Sequence, residues 1–565
     1  MTILARQTRF ILSSLLIFLA VLSPLGSSAQ VQPAPRGHYD ELFAPSGDLR
    51  APYDLLAPDL ESLNSLQETR FLKESRVRFQ GDNALSPVPR ILNSEEAQSL
   101  QNGVEQRARA LVAFLKDLHS GQKSYAEVGI IPEVVVQRII SRAGESGYAG
   151  QIDPSTIAFM YGPDIIRDTT GNWRVIEDNP GFIGGIGDLQ LAYEMILEKY
   201  PQLRNRGTFV SPDGFYQSMG EGLKRQAALR GGKAIVYMAP PYADKEDQRI
   251  RKIFAKMGIE TVTPNTRIRL KITASGVFTF DSQNPSKRPE RVGYLFQNGE
   301  HAWLDRSLPA SRQRFLIEMA SNFVKDNNRR SGLQKSIEEI LSHPETLADP
   351  QQLDALEKLV RLTVNYDPAP VPGLLEAIFK GKVGSNYSPG IDFIGDKEFY
   401  VYVESLIRFY LNEEPILKNI PTQKLTDLNT GKINHQLIKE VLKNPKAYVL
   451  KKVDGRGGDA VWVGAKLKTA EMSAAIDQAL KNPDVYILQK YTPLSVLNGQ
   501  IVDLRSITAI LPDQIIVSQV PWGRGLPMNG NGKVNLSDQG REVTVLIENR
   551  TPQLRPFCQK IYSVH

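Results

Sequence analysis

The stretch Glu177-Asp178-Asn179-Pro180-Gly181 closes a run, Trp173–Glu177, that reads as a strand. Glu177 and Asn179 are two residues apart, so on a strand both side chains point to one face. Two oxygen ligands of a single cation need that placement. Asn-Pro-Gly is equally a strong turn signal, and these five residues alone leave both readings open. Upstream, residues 157–161 read as a second strand, joined to the first by the turn Asp168-Thr169-Thr170-Gly171-Asn172. Asp164, in Gly162-Pro163-Asp164-Ile165, is placed on that preceding strand as a third oxygen. The metal candidates are therefore Asp164, Glu177 and Asn179.

The segment gains meaning from pieces far downstream. Tyr448-Val449-Leu450-Lys451 reads as a buried strand with a lysine at its end, a candidate ligand for phosphate. Asp454-Gly455-Arg456-Gly457-Gly458 follows, with three glycines in five residues. Glycine lets backbone N–H groups approach phosphate oxygens closely; a plain hairpin turn is the competing reading. Gln489-Lys490 ends the strand read at 485–489. Asp503 and Arg505 share a face of the strand read at 501–510, where a cross-strand ion pair is the alternative. Arg524 comes next, then Lys533-Val534-Asn535-Leu536-Ser537-Asp538-Gln539-Gly540.

In this order the pieces resemble an ATP-grasp nucleotide site with its end moved to the front. Such enzymes run from an arginine through an asparagine and glycines directly into Asp…Glu-x-Asn. Here that closing part stands first, at Asp164…Glu177-x-Asn179. The sequence resembles the circularly permuted ATP-grasp family, type 2, a distant relative of glutathionylspermidine synthase. The resemblance also runs through Tyr39-Asp40-Glu41-Leu42-Phe43, Asp396-Lys397, Tyr410-Leu411-Asn412-Glu413-Glu414-Pro415 and Pro493-Leu494-Ser495. It implies an α/β (α+β) chain with a permuted ATP-grasp fold, a small pre-ATP-grasp α/β layer and a helical insertion.

The resemblance further implies ATP and Mg2+ as cofactors. Lys451, Asp454, Gly455, Gly457, Gly458, Gln489, Lys490, Asp503 and Asn535 would then bind the nucleotide, with Asp164, Glu177 and Asn179 on Mg2+. Arg505 and Arg524 would stabilise an acyl-phosphate. Several positions depart from the family pattern. Lys452 replaces a proline, Pro180-Gly181-Phe182-Ile183-Gly184-Gly185 replaces Pro-Ser-Gly, and an expected arginine pair appears as Tyr294-Leu295-Phe296-Gln297. The phosphate and metal positions are kept while acceptor-side positions differ.

The remaining composition narrows the choice. At 565 residues the chain holds two or more domains with ample core. Residues 1–29 read as a secretory signal: Arg6 and Arg9, an apolar stretch, then Ser27-Ser28-Ala29 as a cleavage site. Export to the periplasm or exterior is expected, with no membrane attachment after cleavage. The formal charge of +6 would fall to +4 with those two arginines, and no Lys/Arg block marks a nucleic-acid surface. A single cysteine, Cys558, excludes an intrachain disulfide, and six scattered histidines argue against zinc.

Organisation is expected as a leader and helical region at 30–150, a permuted core piece at 151–204 and the α/β layer at 205–300. A helical insertion at 301–370, the main core at 371–550 and a tail at 551–565 follow. Helices are predicted at 102–119, Leu189–Lys199 and Lys245–Lys256, with a parallel sheet from strands at 233–239 and 261–263. The expected activity is ATP-dependent joining of a small-molecule or peptide carboxylate to an amine. An exported, non-catalytic protein binding a nucleotide-like ligand is the rival, and phosphoryl transfer to a hydroxyl is a third reading.

Overall fold

The computed structural model describes residues 31, 33–81, 83–181, 183–205, 209–237, 245–263, 267–297, 332–343, 346–347, 349–363, 371, 373–427, 431–455, 460–536, 539–549 and 559–560, with single residues between 313 and 324. The expected signal at 1–29, Cys558, and Gly457 and Gly458 lie outside the described residues.

The centre of the molecule is an eight-stranded sheet. Its order is Arg90–Leu92, Arg541–Ile547, Trp522–Pro527, Gln500–Arg505, Asp164–Arg167, Trp173–Glu177 and Lys418–Asn419, with Val496–Leu497 paired to Gln500–Arg505. Asp164–Arg167 is antiparallel to both its neighbours, and its register sets Asp164 opposite Arg505 on one side and Glu177 on the other. Segments more than three hundred residues apart in sequence are thus adjacent strands, as the permuted order requires.

Two expected strands prove to be two strands each. Residues 157–161 and Asp164 do not share one: Phe159–Tyr161 belongs to a separate five-stranded sheet, and the chain changes sheets at Gly162-Pro163. Proline has no N–H to continue a ladder, and a Cβ on Gly162 would meet Arg505 Cδ at 2.8 Å. The strand read at 501–510 breaks likewise into Gln500–Arg505 and Thr508–Leu511. Both crossings fall at one corner, since Arg505 pairs with Asp164 before it and Thr508 with Tyr161 after it.

The helix predicted at 102–119 spans Ser94–Ser120. Asn93 accepts from the Glu96 N–H and Glu96 returns the bond, a capping box, and Gly121 ends the helix with φ +80°. Leu111, Phe114, Leu115 and Leu118 are buried on one face, each contributing about 1.5–3 kcal/mol by burial. Gln106 and Arg109 bind Glu413 on another.

The α/β layer is a mixed sheet, where a parallel one was predicted. Glu260–Val262, Lys233–Tyr237, Glu290–Gln297 and Gly384–Ser385 are parallel, and Gly276–Asp281 and Ile268–Thr273 add antiparallel strands. The helix Lys245–Lys256 is found as predicted. Helices Gly332–Leu341 and Pro350–Thr363 enclose a core of their own with Leu316, Met319 and Ala320. A four-stranded antiparallel sheet, Thr422–Lys424, Tyr486–Lys490, Tyr448–Lys452 and Val461–Val463, lies over the central sheet. Helices His435–Lys443 and Thr469–Ala479 share a core with it through Val441, Ile476 and Leu450. No described helix is long and apolar enough to cross a membrane.

Candidate nucleotide and metal site

Residues opposite one another in a ladder share a face. Trp522, Arg505, Asp164 and Glu177 therefore form one row across four strands of the central sheet. Glu542, Arg524 and Asp503 form a second row on the same face. All of these but Glu542 floor a cleft of about 940 Å3, roofed by the four-stranded sheet. Asp164, Glu177, Asn179, Lys451, Asp454, Gly455, Gln489, Lys490, Asp503, Arg505, Arg524 and Asn535 all line it. The structure brings together every candidate that falls among the described residues.

Asp164 accepts from Arg505 Nε at 2.8 Å and pairs with Arg524 Nη2 at 2.9 Å. Arg524 also holds Asp503, at 3.0 and 2.7 Å. Burial pushes the Asp164 carboxyl up, but the Arg505 and Arg524 guanidiniums outweigh it and hold it well below the usual range. Asp503 has Arg524 as its close cation and is held above the usual range by burial. Burial lowers Arg524, and its two carboxylate partners more than restore it.

Lys451 is the main cation of the roof. Its ammonium is nearly buried, and its hydrogen bond, to the Ile176 carbonyl, is long at 3.5 Å. Burial foremost, with Lys397 adding to it against the pull of Glu177, depresses its pKa to about 8. A cation so poorly compensated favours an incoming anion. Because the folded value lies below the ordinary 10.5, the unfolded chain binds more protons between the two, so this residue's cost to stability is full below about pH 8 and fades as pH rises towards 10.5. Lys451→Met is accordingly expected to stabilise the protein at pH 7 by roughly 1–3 kcal/mol, read from urea melts, while removing phosphate affinity. Loss of stability would show that the ammonium is well compensated.

Lys397 also matters, and the sequence marked it only as part of a resembling segment. Its Nζ lies 3.0 Å from Glu177 and donates to the Gly455 carbonyl, while its backbone N–H donates to Val453. It ties the base of the glycine-rich loop to the floor. Gln489 donates to Thr422 and Ile176. Lys490 rests on the Tyr448 ring at 4.0 Å, and its backbone N–H donates to Pro421. Asp454 pairs with Lys452 at 3.2 Å.

Asn179 donates its Nδ2 to the Gly162 carbonyl at 3.1 Å, which leaves Oδ1 as its acceptor. Glu177, Asp164 and Asn179 offer only oxygen, the donor type of Mg2+. Among the described residues no group of three His, Cys, Asp or Glu side chains forms a cage. Mg2+ is commonly held by one or two carboxylates together with substrate phosphates, so the donor set fits an ion that arrives with a nucleotide.

The chain belongs to the family described as circularly permuted ATP-grasp type 2, whose sequence model matches residues 89–266 and 358–517, more than half of the chain. A Frankia alni relative named "Putative glutamate--cysteine ligase 2-3" is 25% identical over 476 residues, 81% of this chain and 47% of its own. The chain thus spans about half the length of that curated relative. An uncharacterized protein of Mycobacterium tuberculosis is 23% identical over 529 residues, 89% of this chain and 82% of its own. A solved glutathione synthetase like-effector of Globodera pallida aligns with a TM-score of 0.46 at 10% identity, covering 85% of this chain and 97% of that one.

Proposed function

We propose that the protein is an ATP- and Mg2+-dependent ligase that joins a carboxylate to an amine. The observation that carries this reading is the row Arg505–Asp164–Glu177, assembled from distant chain segments beneath Lys451. Lys451 and Lys397 would take nucleotide phosphates, and the strand end at Gln489 and Lys490 would border the base. Glu177, Asn179 and Asp164 would hold Mg2+, which neutralises phosphate charge when bound.

In this reading a substrate carboxylate oxygen attacks the γ-phosphorus and ADP leaves. Arg505 and Arg524 stabilise the charge that develops on the acyl-phosphate. The amine nitrogen then attacks the carbonyl carbon, inorganic phosphate departs, and the amine gives its proton to solvent. The ligase name of the Frankia relative supports small-molecule carboxylate and amine substrates. Export through residues 1–29 belongs to the same proposal, and N-terminal sequencing of cell-derived protein tests it, with Gln30 first as the supporting result.

Calorimetric titration of ATP into the purified chain, with and without Mg2+, tests the nucleotide site. Mg2+-dependent binding that Lys451→Met abolishes is the expected result. Absence of binding by folded wild-type protein overturns the reading. Tight binding with no amine-dependent ADP release favours the non-catalytic binding protein instead.

A further inference from the structure

We propose that Arg107 and Asp178 form a buried brace that positions Glu177 and Asn179 for the divalent cation. The proposal rests on the ligase reading above and extends it to residues behind the cleft. Asp178 lies between two residues that line the cleft, just past the strand Trp173–Glu177, and its own carboxylate is turned into the protein. There Arg107 grips both carboxylate oxygens, Nε to Oδ1 and Nη2 to Oδ2, each at 2.7 Å. The Tyr161 hydroxyl donates to Oδ1 at 2.6 Å.

All three side chains are buried, with Arg107 at 0% and Asp178 at 2% exposure. A buried ion pair is often no more stabilising than an apolar replacement of the same volume. What this one does supply is geometry. A bidentate guanidinium–carboxylate pair fixes both the position and the plane of the carboxylate.

The same strand end is held at two further points. The Tyr400 hydroxyl donates to the Val175 carbonyl at 2.7 Å, and Arg107 lies over the Tyr400 ring at 5.7 Å. The Gly162 N–H donates to the Asn179 carbonyl at 2.8 Å. With Asp178 locked, Glu177 and Asn179 cannot rotate away from the cleft without breaking the brace. Arg107 reaches across from the helix Ser94–Ser120, and no side chain on that helix lines the cleft. Arg107 and Asp178 are thus positioning residues, and neither would contact the cation.

The test is binding of Mn2+, used in place of Mg2+, to the full chain with ADP, followed by electron paramagnetic resonance. Asp178→Asn and Arg107→Lys are expected to weaken Mn2+ binding about 10–100-fold, the range seen when a ligand loses its supporting partner. Tyr161→Phe keeps the ion pair and guards against a variant that fails to fold; its expected loss is roughly 10-fold. Cation-free ADP affinity should stay within about twofold throughout, because Lys451 and Lys397 are untouched. Unchanged Mn2+ affinity in folded variants overturns the brace. So does a parallel loss of Mn2+ and cation-free ADP affinity, which would mark general damage. A wild-type chain that binds ADP but no Mn2+ overturns the cation site itself, and the wild-type arm separates that failure from the others.

Discussion

Arg524→Met is expected to cost the folded state about 3–5 kcal/mol, the usual result of removing one partner from a buried charge pair. Asp503 accepts two hydrogen bonds from that guanidinium and is 2% exposed. Asp164 keeps Arg505, so the penalty falls mainly on Asp503. Its carboxyl is already held above the usual range by burial and would rise further without Arg524. A carboxyl with a raised folded-state pKa costs stability at neutral pH and regains it as acid protonates it. The loss should therefore be larger at pH 7 than at pH 5 in urea melts. Adding Asp503→Asn should recover much of it. A loss under about 1 kcal/mol at pH 7 would show that water or another cation reaches Asp503.

Glu177→Ala is expected to reduce ligase turnover by about a hundredfold or more with the fold intact, at or beyond the range seen when a metal site loses a supporting group. Glu177 is half-buried at a strand end, and its close partner is Lys397, so little packing is lost. A second readout follows from its neighbour. Glu177 is the larger of the two carboxylates that support the Lys451 ammonium. Its removal should push the Lys451 pKa below about 8, so that cation-free nucleotide affinity declines at a lower pH than in wild type. Full turnover in a folded Glu177→Ala protein would remove Glu177 from the metal role.

Much of the site could be read from the chain because its residues sit on strands or just past their ends. Two-residue spacing alone puts Glu177 with Asn179 and Asp503 with Arg505 on shared faces, and the structure places all four along one cleft. The same rule, extended past the strand end at Glu177, points Asp178 into the protein, where it is found. Its partner Arg107 could not be found that way, because nothing local ties position 107 to 178. Lys397 fell within a resembling segment, but its role was hidden: it acts from a short helix, Lys397–Tyr400, with no periodic pattern to orient it. The breaks at Gly162-Pro163 and Ser506-Ile507 show the limit for strands. Apolar residues resume beyond both breaks, at Ile165-Ile166 and at Ile507, while the change of sheet depends on two crossings packing at one corner.

The placement of Asp164–Arg167 between its neighbours also orders events during synthesis. Asp164 and Arg505 are separated by 341 positions, which at ribosomal speed is roughly 20–70 s of elongation. Throughout that interval one edge of the strand Asp164–Arg167 has no mate, and exposed strand edges invite pairing with other chains. The nucleotide cleft is then among the last parts of the molecule to close, after the α/β layer and the roof have had time to fold. A nascent chain released before Arg505 emerges would carry Glu177, Lys397 and Lys451 but not the strands Gln500–Arg505 and Trp522–Pro527 that complete the floor. Such fragments should be retained by chaperones, and the finished protein should gain ligand affinity in a single late step.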